Sequence, residues 1–295
     1  MAYLAKSKRK NKTYYYLVEN LKLATGERKQ IRQYLGNQHP SERNLQALLA
    51  DFEKKIEKEK SRLHGFHYLT KPEIEQVNSI NSEFWKRYQA ENPTVQEQFD
   101  QNFVMAFVYN TNSIEGSTLT PKEVELLLAE DIAPNKSLDD VLEAKACQKT
   151  LQFVKAYKKE ISEKFLLEIH KQYFSDTKPF IAGKYKTKTN YIRGSSFKLA
   201  EPHEVPREMK QFISDYKKLK KKLHPLELSA WAHWKIVSIH PFQDGNGRTA
   251  RLTMNFVLHK NKYAMIDIKT KEKKTYFKAL EKCSYAKNGA PLAKR

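Results

Sequence analysis

The segment from His240 to Arg251 gathers, within twelve residues, side chains that could transfer a phosphate-containing group. In order it reads His-Pro-Phe-Gln-Asp-Gly-Asn-Gly-Arg-Thr-Ala-Arg. The imidazole of His240 can accept a proton from an attacking hydroxyl near neutral pH. The carboxylate of Asp244 suits Mg²⁺, which commonly uses one or two carboxylates together with substrate phosphates. The segment therefore predicts a general base and a metal ligand four positions apart in the chain.

The glycine-rich part of the segment is suited to binding phosphate. Gly245 and Gly247 flank Asn246, so backbone N–H groups can turn inward with no Cβ in the way. A helix is expected to begin here, and its first N–H groups and its dipole favour an anion. Arg248 and Arg251 lie three positions apart on that helix and share one face, from which their guanidinium groups could hold phosphate oxygens. These features predict phosphoryl or nucleotidyl transfer.

Two apolar helices are expected to hold the segment in place. Residues 228–239 precede it and carry Trp231 and Trp234 at helical spacing. From residue 248 to about residue 261 the pattern is again helical and largely apolar. Phe242 is expected to point into the core and to fix the loop. A loop between two core helices gives the rigid placement that such a site needs.

At every fixed position the segment matches the Fic signature, His-Pro-Phe-x-Asp/Glu-Gly-Asn-Gly-Arg-x-x-Arg, so the chain resembles the Fic family. Fic proteins are mostly adenylyltransferases, which move AMP from ATP to a hydroxyl side chain of a target protein. The resemblance implies His240 as the general base, Asp244 as the Mg²⁺ ligand and ATP as the substrate. Kinase-like Doc proteins carry lysine at the position of Gly245, which argues against that branch. The nucleotide-binding residues that the resemblance implies are Gly245, Asn246, Gly247, Arg248, Arg251 and Tyr276.

A second motif predicts self-inhibition. Thr111-x-x-x-Glu115-Gly116 matches the inhibitory Fic motif Ser/Thr-x-x-x-Glu-Gly/Asn, and it precedes the signature, as in self-inhibited members with an upstream inhibitory helix. In the family that glutamate pairs with the second arginine of the signature, which here is Arg251. A carboxylate there would place negative charge where the γ-phosphate should lie and misalign the α-phosphate, and small misplacements cost large rate factors. From local sequence alone, Glu115-Gly116 is also typical of an ordinary helix end with glycine as the cap.

Two further stretches resemble parts of a Fic site. Tyr276-Phe277 resembles the paired aromatic residues that Fic proteins carry near the nucleotide base, although such a pair is also typical of a hydrophobic core. A hairpin is expected at about residues 188–197, and in the family it is a flap that aligns the target by strand addition. The family often has arginine shortly after the glycine that here is Gly183, whereas this chain has Lys184 and Lys186. The target-aligning residues would be Tyr191, Ile192, Arg193 and Gly194.

The first part of the chain differs from the rest. Residues 14–20 and 30–35 are strand-like, with a turn expected at Thr25-Gly26, so a hairpin or a three-stranded sheet is predicted. Basic residues interleaved with tyrosines could form a nucleic-acid platform. The same pattern is typical of a solvated edge sheet on a basic protein. The basic residues considered are Lys6, Lys8, Arg9, Lys10, Lys12, Arg28, Lys29 and Arg32.

The predicted fold is mainly α: a Fic-type helical bundle with a small β-hairpin flap, plus a short basic N-terminal β module. Four regions are expected, namely a basic β-rich module at 1–40, a helical linker region at 41–94, a Fic core with the inhibitory helix at 95–285, and a C-terminal tail at 286–295. Besides the helices beside the signature, helices are predicted at 44–62, 71–88, 95–109, 138–159, 162–174, 205–223 and 270–285, with another beginning at Thr120. His170 is expected to be a packing histidine.

Composition bounds the class of protein. The 295 residues include 54 Lys+Arg and 34 Asp+Glu, a formal net charge of +20, which would suit ATP, nucleic acid or acidic partners. Two cysteines make a disulfide framework implausible and predict a reducing cytoplasm. The N-terminus lacks the apolar stretch of a secretion signal, and no run of about 18 apolar residues predicts a membrane span.

Together these features predict an ATP- and Mg²⁺-dependent protein adenylyltransferase that modifies a Ser, Thr or Tyr hydroxyl and is inhibited by Glu115. Two alternatives stay open. In some Fic proteins the inhibitory glutamate positions a water that removes AMP, so Glu115 could serve hydrolysis. The chain could instead be a nucleic-acid-binding regulator whose Fic site only senses nucleotide. An oligomer is compatible with each of these interpretations, and no membrane partner is expected.

Overall fold

The computed structural model describes residues 2–9, 12–22, 28–63, 68–191 and 199–285. The chain divides into two compact units. The first comprises Met1–Lys71 with Lys221–Leu223, and the second comprises Pro72–Lys220 with His224–Arg295. The division at Lys71 falls inside the region 41–94 that the sequence predicts as a helical linker.

The first unit contains a three-stranded antiparallel sheet followed by a helix. Strands β1 (Tyr3–Arg9), β2 (Lys12–Lys22) and β3 (Arg28–Gly36) lie in the order β1-β2-β3, and helix α1 spans Glu42–Leu63. The register between β2 and β3 shifts at Tyr15/Tyr16. Of the two predicted forms, the three-stranded sheet is confirmed, while the predicted turn at Thr25-Gly26 lies outside the described residues.

One face of this sheet and helix α1 form a small apolar core. Leu17 of β2 and Ile31 of β3 pack with Phe52 and Ile56 of α1, and each is more than nine-tenths buried. Because strand side chains alternate, the residues on either side of Leu17 and Ile31 lie on the opposite face of the sheet. The strand cations whose side chains are described, Lys6, Lys8, Lys12 and Arg32, are all exposed.

The second unit is helical, so the predicted mainly α fold is confirmed. A 3₁₀ turn at Thr270–Glu272 leads into α10, which spans Lys273–Tyr285. A membrane crossing would need a longer apolar helix than any in the described part of the chain. The helices before α10 are α2 (Lys71–Ala90), α3 (Pro93–Glu115), α4 (Pro121–Ala129), α5 (Leu138–Ala156), α6 (Glu163–Phe174), α7 (Val205–Leu219), α8 (Pro225–Ile239) and α9 (Asn246–Lys260).

Two helix ends differ from the prediction by four residues or more. Helix α3 continues past Tyr109 because Asn110 and Asn112 donate their side-chain amides to carbonyls of the preceding turn, at 3.0 and 3.1 Å, instead of forming a turn. Helix α7 ends at Leu219 rather than at Leu223, because a run of lysines follows and like charges on neighbouring helical positions repel one another. The first difference lengthens the helix that carries the predicted inhibitory motif.

Helix α9 is the centre of the second unit. It packs against α8, α5, α6 and α3, and its residues from Arg248 to Leu258 are all buried. Six of these eleven residues are apolar, and the five polar ones are Arg248, Thr249, Arg251, Thr253 and Asn255. A buried polar group is costly unless it has a hydrogen-bond partner inside the protein. The neighbouring helices must therefore supply partners to α9.

Caps define the ends of the helices that approach α9. Helix α8 begins at His224, which forms a capping box with Glu227. Helix α4 begins with a capping box between Thr120 and Glu123, as its predicted start requires. Helix α3 ends at Gly116, whose left-handed φ of 109° is typical of a helix-terminating glycine. These caps fix where the chain leaves each helix and turns toward the signature segment.

Candidate active site

The signature segment forms a tight turn between α8 and α9. Phe242 is fully buried, as expected, and its ring stacks on that of His170 with centroids 3.9 Å apart. Asn246 brackets the backbone of Phe242: its Oδ1 accepts from the Phe242 N–H and its Nδ2 donates to the Phe242 carbonyl, both at 2.8 Å. The Asn246 side chain thus holds the loop, which leaves its backbone N–H for the phosphate role predicted for this residue.

His170 of α6 holds the backbone at the predicted metal ligand. Its Nδ1 accepts a hydrogen bond from the Gly183 N–H (2.9 Å), so its Nε2 carries the proton and donates to the carbonyl of Asp244 (3.0 Å). Burial lowers the pKa of His170 to about 4, so the ring is neutral at neutral pH. The packing role predicted for His170 is confirmed, while its two hydrogen bonds to distant loops could not be inferred from its sequence neighbours.

His240, the predicted base, ends α8 with a left-handed backbone (φ 55°). Its Nδ1 lies 3.3 Å from the carbonyl of Val237 and can only donate to that oxygen, so Nε2 is the unprotonated nitrogen. Burial lowers the pKa of His240 to about 4, outweighing the opposite effect of that hydrogen bond. The ring is therefore neutral at physiological pH, with the Nε2 lone pair available as a base.

Asp244, the predicted Mg²⁺ ligand, is paired with Lys178. Lys178 Nζ lies 2.7 Å from Asp244 Oδ2 and 2.9 Å from Glu143 Oε1. The Gly245 N–H donates to Asp244 Oδ1 at 2.6 Å. Burial acts to raise the pKa of Asp244, but Lys178 and Arg248 outweigh it and lower the pKa. Asp244 is therefore ionised, and a lysine ammonium neutralises its charge.

Arg248 lies between anions and an aromatic ring. Its guanidinium forms an ion pair with Glu143 of α5, and its Nη2 lies 3.6 Å from Asp244 Oδ1. The same group lies 4.5 Å from the centroid of the Phe174 ring, a cation–π distance. Sequence reasoning missed both Glu143 and Lys178, because single charged residues on helices and turns are most often solvated and carry no local signal of a site.

Arg251 is almost wholly buried, with 2% of its side chain exposed, and α3 supplies most of its partners. Its Nε donates to Thr111 Oγ1 at 2.8 Å. Its Nη2 donates to Glu115 Oε1 at 2.7 Å and to the Thr111 carbonyl at 3.1 Å. Thr111 and Glu115 are four positions apart and so lie on one face of α3. The structure therefore brings together the two motifs that the sequence links.

The carboxylate of Glu115 lies against the first turn of α9. A Cβ atom added to Gly247 would be 2.4 Å from Glu115 Oε1. Burial acts to raise the pKa of Glu115, but Arg251 outweighs it and lowers the pKa, so the carboxylate is ionised. An anion thus already lies beside Arg251 and the N-terminus of α9, where the sequence predicts a phosphate.

Asn112, one residue after Thr111, connects the end of α3 to α6. Asn112 is buried, and its Oδ1 accepts a hydrogen bond from the Tyr173 hydroxyl of α6 at 2.6 Å. Beyond it, the Gly116 N–H donates to the Ser113 carbonyl at 3.2 Å. Gly116 is therefore the helix cap that the local sequence predicts, and Glu115 occupies the last turn between Asn112 and this cap.

Tyr276 of α10, predicted near the nucleotide base, contacts Arg251. Arg251 Nη1 and His233 Nε2 lie 3.4 and 2.9 Å from the Tyr276 hydroxyl oxygen. Arginine can only donate, so the hydroxyl accepts from Arg251 and can donate its own hydrogen bond to His233 Nε2. Burial lowers the pKa of His233 to about 3, which leaves this ring neutral and able to accept. Tyr276 thus supports Arg251, and its contact with a nucleotide stays a prediction.

The predicted flap falls mostly on residues outside those described. Tyr191 is exposed, whereas Ile192, Arg193 and Gly194 lie outside the described residues. Residues 188–191 are not part of a strand. Just before Tyr191, Asn190 donates its side-chain amide to the Phe242 carbonyl at 3.0 Å, which ties this segment to the signature loop. The target-aligning role of the flap stays a prediction.

Metal binding here would depend on Asp244. Among the described residues, no group of three or more His, Cys, Asp and Glu side chains is arranged to hold a metal ion. The single carboxylate of Asp244 fits Mg²⁺, which is usually held by one or two carboxylates and by substrate phosphates. The Asp244 side chain keeps 47% of its surface exposed, so a hydrated cation could reach it.

We predict that Gly245→Ala destabilises the protein more than Gly116→Ala. Both glycines have positive φ, but a Cβ at Gly245 would lie 2.1 Å from the Phe174 ring, whereas a Cβ at Gly116 meets nothing within 4 Å. Backbone strain of about 1–2 kcal/mol is common to both, and the clash should add ~1–3 kcal/mol at Gly245. Urea unfolding measures the difference, and equal losses would show that Phe174 moves aside without cost.

We predict that acid destabilises the protein partly through His233. Burial lowers its pKa to about 3, whereas an unfolded histidine titrates near ~6.5. Below that pH the unfolded chain binds a proton that the folded protein does not, so the free energy of unfolding falls, by about 2 kcal/mol at pH 5. His233→Gln, whose amide oxygen can still accept from Tyr276, should therefore lose less stability than wild type in urea titrations at pH 7 and pH 5. The same loss in both proteins would contradict this account.

Known proteins resemble this chain in sequence and in fold. Residues 160–258 match the model of the Fic/DOC family. A solved Fic domain containing signaling protein from Bacteroides thetaiotaomicron is 32% identical, with a TM-score of 0.66, and the match covers 74% of this chain and 88% of that one. A solved Fic-1 from C. elegans is 24% identical, with a TM-score of 0.60, and the match covers 79% and 65% of the two chains.

Curated relatives give the same family. The protein adenylyltransferase Fic of Nematostella vectensis is 30% identical over 185 residues, which are 60% of this chain and 43% of that protein. This chain thus spans less than half the length of that relative. The similarity to the Bacteroides thetaiotaomicron protein, by contrast, extends over most of both chains. From its signature, its helical core and these similarities, the chain belongs to the Fic/DOC family.

Proposed function

We propose that this chain is a protein adenylyltransferase that Glu115 holds inactive. The observation that carries the proposal is the 2.7 Å contact between Glu115 Oε1 and Arg251 Nη2, in a site whose base, carboxylate and helix N-terminus are otherwise assembled. The adenylyltransferase name of the Nematostella vectensis relative supports the same activity. The proposed substrates are ATP and a Ser, Thr or Tyr hydroxyl of a target protein.

In the proposed reaction, the target hydroxyl oxygen attacks the α-phosphorus of ATP. His240 Nε2 takes the hydroxyl proton, a new P–O bond forms, and the bond from the α-phosphorus to the oxygen that bridges it to the β-phosphate breaks. Pyrophosphate leaves with that oxygen. The backbone N–H groups of Asn246, Gly247 and Arg248 lie in the first turn of α9 and would stabilise the growing negative charge. Because His240 is neutral in the resting site, the base needs no prior loss of a proton.

Asp244 is the residue that would hold Mg²⁺ in this reaction. When bound, the ion would supply positive charge that neutralises the phosphates. Asp244 is already oriented for such a role, since its carbonyl accepts from His170 and its Oδ1 accepts from Gly245. Lys178, at 2.7 Å from Oδ2, competes with any cation for that oxygen.

Glu115 would inhibit through both its charge and its position. Arg251 is the proposed partner of the γ-phosphate, and Glu115 now uses its Nη2 group. ATP that bound beside this carboxylate would meet like charge and would be displaced from the position for in-line attack. When Glu115 leaves, Arg251 can keep its hydrogen bonds to Thr111, so its guanidinium would remain oriented for the phosphate.

Removal of AMP from a modified target is a second candidate. It is favoured by the ionised state of Glu115, whose charge reaches His240 and acts to raise the pKa of that residue. A carboxylate so placed could orient a water for hydrolysis. The two activities require opposite positions of Glu115, because transfer needs Arg251 free of it and removal needs it in the site.

We predict that Glu115→Gly gains about tenfold or more in AMP incorporation over wild type, because the γ-phosphate can then reach Arg251 and align the α-phosphate. The measurement uses ATP labelled at the α-phosphate with Mg²⁺, together with intact mass, and needs no known target if the chain modifies itself or an added protein mixture. Glu115→Gly/His240→Ala should incorporate none. Glu130→Gly, at an exposed glutamate that ends α4, is the matched control and should behave as wild type.

The contradicting outcome is equally specific. If Glu115→Gly binds ATP but incorporates no more AMP than wild type, the transferase proposal fails. An AMP-modified protein would then be offered to wild type and to Glu115→Gly. Loss of AMP with wild type alone would establish removal as the activity.

We predict that Lys178→Met tightens binding of Mn²⁺, used as a spectroscopic substitute for Mg²⁺, by several-fold in the presence of a non-hydrolysable ATP analogue. Removing the ammonium at 2.7 Å frees Asp244 Oδ2 for the ion. Electron paramagnetic resonance of free Mn²⁺ measures the affinity without any turnover. Lys184→Met, at an exposed lysine of the same turn region, should not change it, and Asp244→Asn should weaken it. Unchanged affinity in Lys178→Met would show that the lysine does not compete.

A further inference from the structure

One face of the N-terminal sheet carries tyrosines. The strand register pairs Tyr16 with Tyr34. It also pairs Val18 of β2 with Tyr3 on one side and with Arg32 on the other. Paired residues share a face of a sheet. The ring of Tyr14 contacts that of Tyr34, so it lies on the same face. We call the surface formed by Tyr3, Tyr14, Tyr16, Arg32 and Tyr34 the tyrosine face.

Two rings of the tyrosine face are exposed to solvent, while Val18, between Tyr3 and Arg32, is buried. Tyr34 is 57% exposed and Tyr3 is 48% exposed, although both are large aromatic side chains. The ring of Tyr34 lies with its centroid 5.4 Å from that of Tyr16 and 6.2 Å from that of Tyr14. Helix α1 packs on the opposite face through Leu17 and its neighbours, so it leaves these rings uncovered. Clustered exposed rings of this kind are typical of a binding surface.

The positive charge of this part of the chain is concentrated in the sheet. Residues 1–40 contain nine lysines and arginines and two glutamates, a formal charge of +7. Residues 41–63, which include α1, contain six basic and five acidic residues and are nearly neutral. Arg32 lies on the tyrosine face itself and is exposed. The open rings and the excess charge therefore coincide on the same three strands.

We propose that the tyrosine face binds single-stranded nucleic acid. Bases would stack on the exposed rings of Tyr34 and Tyr3. The phosphates would pair with Arg32 and with Lys12, which the strand register places on the same face as Tyr14 and Tyr16. A duplex keeps its bases stacked inside and offers mainly phosphates to such a surface, so it would make no use of the rings. This binding is separate from the proposed transfer reaction, because none of its residues belongs to the second unit.

An alternative explanation of the tyrosines is that they only stabilise the sheet as cross-strand pairs. That role would need the rings to contact one another but would not need an excess of positive charge around them. It also predicts that any large apolar residue would serve as well as tyrosine. The experiment below separates the two roles by changing the ring and the charge one at a time.

The test measures fluorescence anisotropy of the full chain with labelled oligonucleotides of about 15 residues: dT, rU and a duplex of mixed sequence. We expect Tyr34→Leu to weaken single-strand binding about fivefold or more, and Tyr34→Phe to retain it, because only phenylalanine keeps a stacking surface. Duplex binding through general charge should be the same in both variants. The dT and rU arms show whether DNA, RNA or both are bound.

Charge is tested by a second matched pair. Arg32→Gln should lower the slope of log affinity against log salt by about 0.7 for single strands, as expected for the loss of one phosphate contact. Lys55→Gln removes an equally exposed charge from α1 and should leave the slope unchanged. Circular dichroism and thermal unfolding of each variant report whether the sheet is intact.

The proposal is overturned if folded Tyr34→Leu binds single strands as tightly as wild type. It is also overturned if the duplex is preferred and Arg32→Gln and Lys55→Gln have equal effects, because binding would then be nonspecific attraction to a basic protein. If Tyr34→Leu fails to fold, the charge pair decides the matter. A larger loss of single-strand affinity in Arg32→Gln than in Lys55→Gln supports the proposal, and equal losses overturn it.

Discussion

The burial of the Arg251 guanidinium is the constraint on which the site depends. This group keeps its charge at any physiological pH, and an uncompensated buried charge costs several kcal/mol. Thr111 and Glu115 of α3 and Tyr276 of α10 therefore converge on α9, each with a polar atom directed at the same side chain. A nucleotide would offer this group a phosphate in place of a carboxylate. In the proposed function, inhibition and activity are therefore two ways of compensating the same buried cation.

Much of the site could be predicted because its parts are local in sequence. The turn that carries His240 and Asp244 lies in one continuous segment, and the residue types alone specify a base, a carboxylate and an anion-binding helix start. The flanking helices could be predicted from their apolar periodicity. The link from Glu115 to Arg251 spans 136 residues, and it was accessible only because a second motif matched a family pattern.

The parts that could not be predicted depend on contacts between distant positions of ordinary residue types. Lys178 meets Asp244 across 66 positions, and Arg248 meets Glu143 across 105. A lysine or a glutamate in a sequence pattern typical of exposed residues carries no local signal of such a partner. Only the fold determines which of these charged residues come into contact. The contacts of the Asn246 side chain are a further example: the loop backbone uses both of its polar atoms, which leaves the backbone N–H of Asn246 for the predicted anion.

The hydrogen bond between Tyr173 and Asn112 separates the part of α3 that α6 holds from the last turn, which carries Glu115 and the buried Ile114. Thr111 lies in the part that α6 holds, and Glu115 lies in the final turn between Asn112 and the left-handed Gly116. Terminal turns open at far lower free energy than whole helices. The Glu115 carboxylate could therefore leave Arg251 when one helical turn unfolds. The rest of α3 would keep its position, and Thr111 would keep its hydrogen bonds to Arg251. A partner that activated the protein would need to hold only that last turn open, and need not move a helix.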